Sequence, residues 1–362
     1  MTVRSPRTRM RRLSRLLALA ATLLIAAAGC TGGNDAASRV PPNPNNHSGA
    51  AGEPGNTLTV YSRDPQLAKP LFTLFEQQTG ITIRTRFGDP ITLAEQVIAD
   101  GDATSADVFY APLSDALGTL AAAGRLARLS DQQLRRVQPA YRSPDGTWVG
   151  TAGRAHVVFY NTDQLSEADL PATILGFSDT VWRRRIAWDP TSRSLQDAVT
   201  AIRQRDGDDA ARGWLRGVQA NAPAALRGAE PIIKAVAAGQ IAQVGFGSHS
   251  YLPTLQQDGQ ATNVAAKFYP GDPGGLLNVA GVGIIKSTDK QAGANAFVDF
   301  MLSPTAQQYF AQNDLEIPVV TGAKPPAGIP SADQLTVPGL DVRQFEQLSD
   351  ARRLLTEAGI LR

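Results

Sequence analysis

The stretch from Leu58 to Tyr110 leaves this chain few folds to choose from, because its hydrophobic spacing switches repeatedly between the period of a strand and that of a helix. Leu58-Thr59-Val60-Tyr61-Ser62 is a short β-rich run after a breaker. Leu67, Leu71, Phe72, Leu74 and Phe75 then recur at near-helical spacing, and the run stops at Gly80, a suitable C-cap. Ile81–Phe87 alternates Ile and Thr with arginines as a second strand. Ile91–Asp100 reads as a helix and Asp107–Tyr110 as a third strand. Strand, helix, strand, helix, strand with short links predicts a parallel sheet wrapped by helices. Ala116–Gly124 adds another helix.

The pattern restarts further on. Trp148–Gly150 and His156–Tyr160 read as strands leading away from the first unit, and Ile186-Ala187-Trp188 as a strand of a second. Helices are predicted over Leu195–Arg205, Ala210–Ala220 and Ile232–Ala238, the last ended by Gly239, with a strand at Gln243–Phe246. Leu276–Ile284 returns as buried strand, and its Gly281 and Gly283 suit a crossing strand that lies close to another backbone. Helices follow at Gln291–Leu302 and Pro304–Asn313, and Pro318–Pro330 ends the core. Two α/β units with a crossing and a return predict two lobes and a cleft for a small ligand.

The N-terminal region is of another kind. Residues 1–29 carry six arginines and no acid, and without them the formal charge moves from +2 to −4. The body is thus mildly acidic, and no nucleic-acid partner is expected. The apolar run Leu16–Gly29 falls short of the ~20 residues that span a bilayer and reads as an export signal, from Met1 or Met10. It closes on Ala28-Gly29-Cys30, which resembles the bacterial lipobox, although Ala27 stands where an aliphatic residue is usual. Cys30 is the single cysteine, so an intramolecular disulfide and a multi-cysteine metal site are excluded. It is the expected lipid attachment point, on the outer face of the cytoplasmic membrane. Residues 30–56 are Gly, Asn, Pro, Ser and Ala with almost no bulky apolar residue, the composition of a flexible tether.

The order of phrases from Leu58 to Arg362 resembles the iron-type (ferric-binding) solute-binding proteins of bacterial ABC importers. The phrases that carry the resemblance are LTVYSRDPQLAKPLF, FEQQTGI, SADVFYAPLSDALGTLAAAGRLA, DGTWVGTAGRAHVVFYNTDQL, AARGWLRG, GDPGGLLNVAGVGIIK and AFVDFMLSPTAQQYFA, with Glu316-Ile317-Pro318-Val319 and the closing LLTEAGI. It implies an α/β, two-lobe periplasmic-binding-protein fold of type II with crossing hinge strands. Lobe one would comprise residues 57–152 plus 278–327, and lobe two residues 153–277 plus 328–362. Hinges would fall near Gly153–Val157 and Asn278–Gly281. The implied function is a monomeric, lipid-anchored binding protein that delivers ferric iron, free or with a synergistic anion, to the transmembrane subunits of an ABC permease. No enzyme activity and no catalytic cofactor are expected: the chain has no GxxxxGK[ST], GxSxG or HExxH phrase.

The resemblance also proposes ligands. Ferric iron is a hard cation suited to phenolate oxygen. The family's paired tyrosines match Ser250 and Tyr251, so Tyr251 is the expected metal ligand and Ser250 a neutral neighbour. Asp64 fills a second ligand position if one residue is deleted there, or else caps a helix. The family's acid after the third strand corresponds to Pro112, which cannot ligate. Ser192, Arg193 and Ser194, after Thr191 at a helix start, would cradle an anion or serve as an ordinary N-cap with a surface arginine. Arg154 would face the cleft toward an anion or Asp64, or brace the hinge strands. His156 and His249 read as packed histidines, with His249 kept among the candidates because it adjoins Ser250. The alternative keeps the fold and binds a small organic or phosphate-bearing anion without metal.

Overall fold

The computed structural model describes residues 56–62, 65–340 and 348–361. Its strands are β1 (Thr57–Ser62), β2 (Thr82–Phe87), β3 (Val108–Ala111), β4 (Trp148–Asn161), β5 (Ile186–Trp188), β6 (Ala224–Ala225), β7 (Val244–Ser248), β8 (Val264–Lys267), β9 (Leu277–Ile284) and β10 (Ile317–Pro318). They form one sheet in the order β2-β1-β3-β9-β4-β7-β5-β6, and β8 and β10 also pair with β4. Pairing is parallel within each half, β1 with β2 and β3, β5 with β6 and β7. It is antiparallel wherever β4 or β9 takes part. The two α/β lobes therefore share a pair of crossing strands, as the sequence predicts.

Each lobe has its own apolar core. In the first, the Pro65–Thr79 helix presents Leu71, Phe72 and Phe75, and Phe72 and Phe75 both meet Phe297 edge to face. Gly80 ends that helix at φ +70°, its N–H bonding Glu76 O at 2.8 Å. In the second, Phe177, Trp182, Trp214 and Phe246 pack with Val199 and Ile202 of the Arg193–Asp206 helix. Among the described residues no helix is long and apolar enough to cross a membrane.

Two boundaries differ from the sequence reading. Trp148–Gly150 and His156–Tyr160 are the two ends of one 14-residue strand. The small residues between them continue it because β9 supplies the ladder, with one register shift between Gly150 and Ala152. Gly153 is required there, since a Cβ would lie 2.7 Å from the Leu277 side chain and 2.8 Å from Asn278 O. Gly281 is similar, with Leu117 and the Val149 carbonyl in the way. The second difference concerns the change of lobe expected at residue 328. The Ala332–Leu335 helix still packs on the first core, and Tyr141 donates to Ala332 O at 2.7 Å. The Ser349–Glu357 helix does lie on the second lobe, where Arg212 meets Glu357 and Arg352 meets Gln196.

Candidate functional site

The crossing ladder sets the site. Arg154 of β4 stands opposite Asn278 of β9, and Tyr110 of β3 stands opposite Val282 on the same strand. Residues two apart on a strand share a face, so Tyr110, Asn278, Arg154 and His156 project from one side of the sheet.

Arg154 Nη2 lies 2.7 Å from Glu316 Oε1, and Glu316 is almost fully buried. Glu316 is aimed by the turn before it: Leu315 sits at φ +53°, and the Glu316 N–H bonds Phe310 O at 3.0 Å. Burial pushes the Glu316 carboxyl above its ordinary value although Arg154 pulls it down. Tyr110 is within electrostatic reach of the same group. Burial, then the charges of Glu316 and Asp314, push its phenol far above the usual range, against the polar Thr151 hydroxyl and the pull of Arg154. That phenol gives up its proton only to a strong local positive charge such as a bound metal ion. Tyr251 also lies in the field of Arg154, and it is one of the few large apolar side chains that is half exposed.

His249 explains how Tyr251 comes to be there. Its Nδ1 accepts from the Ala155 N–H at 3.0 Å, so Nε2 carries the proton and donates to Leu315 O at 2.9 Å. It ties the His249–Tyr251 turn to the neighbours of both Arg154 and Glu316. Burial holds the ring below its ordinary pKa, which keeps it in this neutral form. With both nitrogens taken by backbone, His249 is held as a packed, positioning group. Ser250 itself is partly exposed in the same turn.

A second cluster crosses the cleft. Arg193 opens the Arg193–Asp206 helix of lobe two. Its Nη1 meets Asp115 Oδ2 of lobe one at 2.6 Å, and its Nε meets Asp197 Oδ1 at 2.8 Å. Asp197 is fully buried, and burial raises it to about 6 despite Arg193. The Asn278 amide donates to Asp197 Oδ2 at 2.7 Å and to His156 Nε2 at 3.3 Å. Burial and then Arg193 lower His156 to about 3, so it is neutral.

The anion cradle expected at this helix start is therefore occupied from within. Ser192 is an N-cap: its Oγ accepts from the Leu195 N–H at 3.2 Å and donates to Asp189 O at 2.8 Å. Arg193 is held by two protein carboxylates. Ser194 lines a cavity of about 20 Å³ with Ser192, His156 and Asp189, room for a single water. Asp64 and Cys30 lie outside the described residues. Among the described residues, no three His, Cys, Asp or Glu side chains gather where a metal ion could sit, so oxygen donors near Arg154 would have to include the tyrosines. Sequence reasoning missed Tyr110, Glu316, Asp115 and Asn278. For Tyr110 a signal existed, since it stands at the C-terminal end of a parallel strand, where ligands collect.

The sequence profile of the bacterial extracellular solute-binding proteins matches residues 71–337. The chain belongs to that family. This solute-binding protein is 30% identical over 308 residues to the Fe(3+)-binding periplasmic protein of Serratia marcescens, covering 84% of this chain and 90% of that one. Among solved structures it is similar to iron-bound HitA from Pseudomonas aeruginosa, with 30% identity, a TM-score of 0.73 and coverage of 84% and 99%. It is also similar to the Trichodesmium protein IdiA (FutA) in complex with iron and citrate, with 26% identity, a TM-score of 0.74 and coverage of 84% and 99%.

Proposed function

We propose that this solute-binding protein captures ferric iron between its lobes and presents it to an ABC permease. The observation that carries the reading is the group of oxygen donors at the crossing strands, Tyr251, Tyr110 and Glu316 around Arg154. It accords with the iron binding named for the Serratia, Pseudomonas and Trichodesmium relatives. Tyr251, half exposed, is the entering phenol. Asp64 is proposed as a carboxylate ligand, because it follows β1 by two residues and Ser62 at the end of β1 pairs with Tyr110. Glu316 balances Arg154, which would otherwise repel the cation. Capture brings the lobes together, and the closed form is the one the permease reads.

The division into residues 57–152 plus 278–335 for lobe one and 153–277 plus 349–357 for lobe two is part of this proposal, as is anchoring through lipidated Cys30. The metal-free anion reading has less support, because Arg154 and Arg193, the cations it needs, are each paired with protein carboxylates. The test is a titration of the purified protein with ferric iron followed by visible absorption. A tyrosinate-to-iron charge-transfer band is expected. Its absence, together with calorimetric binding of a metal-free anion, refutes the iron reading.

A further inference from the structure

The pair Asp115–Arg193 joins the two lobes at the place where a co-bound anion would meet Arg193. Asp115 stands in the first turn of the Ser114–Ala122 helix, whose Ala116, Leu117 and Leu120 belong to the first core. Arg193 opens a helix whose Leu195, Val199 and Ile202 belong to the second. Their 2.6 Å contact is largely shielded, with 21% of the arginine side chain and 17% of the aspartate exposed. On its other side the guanidinium meets Asp197 at 2.8 Å, and Asp197 is fixed in turn by Asn278 on the crossing strand. Two of the three neighbouring hydroxyls are committed as well: Ser192 caps the helix, and Thr191 Oγ1 donates to Asp189 Oδ1 at 2.6 Å. An exogenous anion at Arg193 would have to compete with two carboxylates already bound there in short, charge-assisted contacts.

We propose that Asp115 is a specificity-determining residue: its carboxylate takes the co-anion's place at Arg193 when the lobes close, so the cargo is held without a free anion at that position. The proposal rests on the ferric reading above. It adds that the counter-charge is part of the chain and is delivered by lobe closure itself. Capture is then insensitive to the phosphate, carbonate or citrate of the surroundings.

The test is metal titration of the full-length protein, followed by the charge-transfer band. Ferric iron is supplied from nitrilotriacetate, which is then removed by exhaustive dialysis under carbonate-free gas. Phosphate, citrate or acetate is added back in separate arms. The wild type should keep its iron after dialysis, with an affinity changed less than about twofold by any added anion. Asp115→Ala should lose about 10- to 100-fold in iron affinity, the range for one charge-assisted contact, and regain it with millimolar acetate or phosphate. Asp115→Asn should fall between the two, and an unchanged thermal transition in both variants separates this loss from misfolding. A wild-type band that appears only with added anion overturns the proposal and leaves the ferric reading standing. So does an Asp115→Ala affinity that no anion improves. No band under any anion condition overturns the ferric reading and this proposal with it.

Discussion

Arg154→Ala tests the reasoning about the hinge most sharply. Glu316 is 6% exposed at its side chain, and among the described residues Arg154, at 2.7 Å, is the cation within ion-pair distance of it. Breaking a buried pair by removing one partner costs about 3–5 kcal/mol, because the remaining charge is left uncompensated. With 30% of the arginine side chain still in water, the low end applies. A loss of about 3 kcal/mol at roughly 2–4 °C per kcal/mol is a fall in Tm of roughly 6–12 °C. The fall should depend on pH in a defined direction. Glu316 is raised above 4.5 by burial, so whatever stability its carboxyl contributes is complete below 4.5 and declines as pH rises through its folded value. In acid both proteins hold it neutral, and the gap between wild type and Arg154→Ala should close as pH falls toward 4.5. Replacing both partners, Arg154→Met with Glu316→Gln, should restore most of the loss at pH 7. The assay is differential scanning calorimetry across pH 4.5–8. A Tm that barely moves at pH 7, or a double variant no more stable than the single one, refutes the argument.

Three further outcomes are expected. Tyr251→Phe should weaken the charge-transfer band, leaving only what Tyr110 contributes, with the thermal transition in place because the side chain is half exposed; an undiminished band on the variant means another group carries the colour. His249→Ala removes bonds to Ala155 and Leu315, and at about 1 kcal/mol net for each the protein should melt a few degrees lower and bind iron more weakly; full affinity would show that Tyr251 needs no such clip. Cys30→Ser should move the protein from the membrane fraction to the soluble one in cell fractionation, and unchanged retention would place the anchor elsewhere.

How far the sequence could be read follows from which interactions are local. The Pro65–Thr79 helix and its Gly80 stop were legible because spacing and cap lie within one segment. Strand β4 was read as two because Thr151–Ala155 has no apolar alternation of its own; it is a strand only by virtue of β9, far along the chain. The ligand-side residues failed for the same reason. Arg193 was correctly placed at a helix start, but its partner Asp115 is 78 positions away. His249 read as a packed histidine from its sequence, but the partners that pack it, backbone of β4 and of the turn before β10, are far along the chain. Tyr110 read as one more strand aromatic, since nothing near it in sequence announces Arg154 or Glu316.

The position of β9 between β3 and β4 has a consequence for how such a chain comes into being. As the polypeptide emerges from N- to C-terminus, β1, β2 and β3 arrive together, but the flank of β3 waits for its neighbour until the entire second lobe has been made. Through that interval the first lobe offers an unpaired strand edge, the kind of surface that recruits other chains. The second lobe, almost continuous in sequence, can close in the meantime. The last long strand to appear then wedges into place and joins the two halves, and the helices that follow it close their cores. A chain truncated just short of Leu277 should therefore be more aggregation-prone than one that extends through β9 and the helix carrying Phe297.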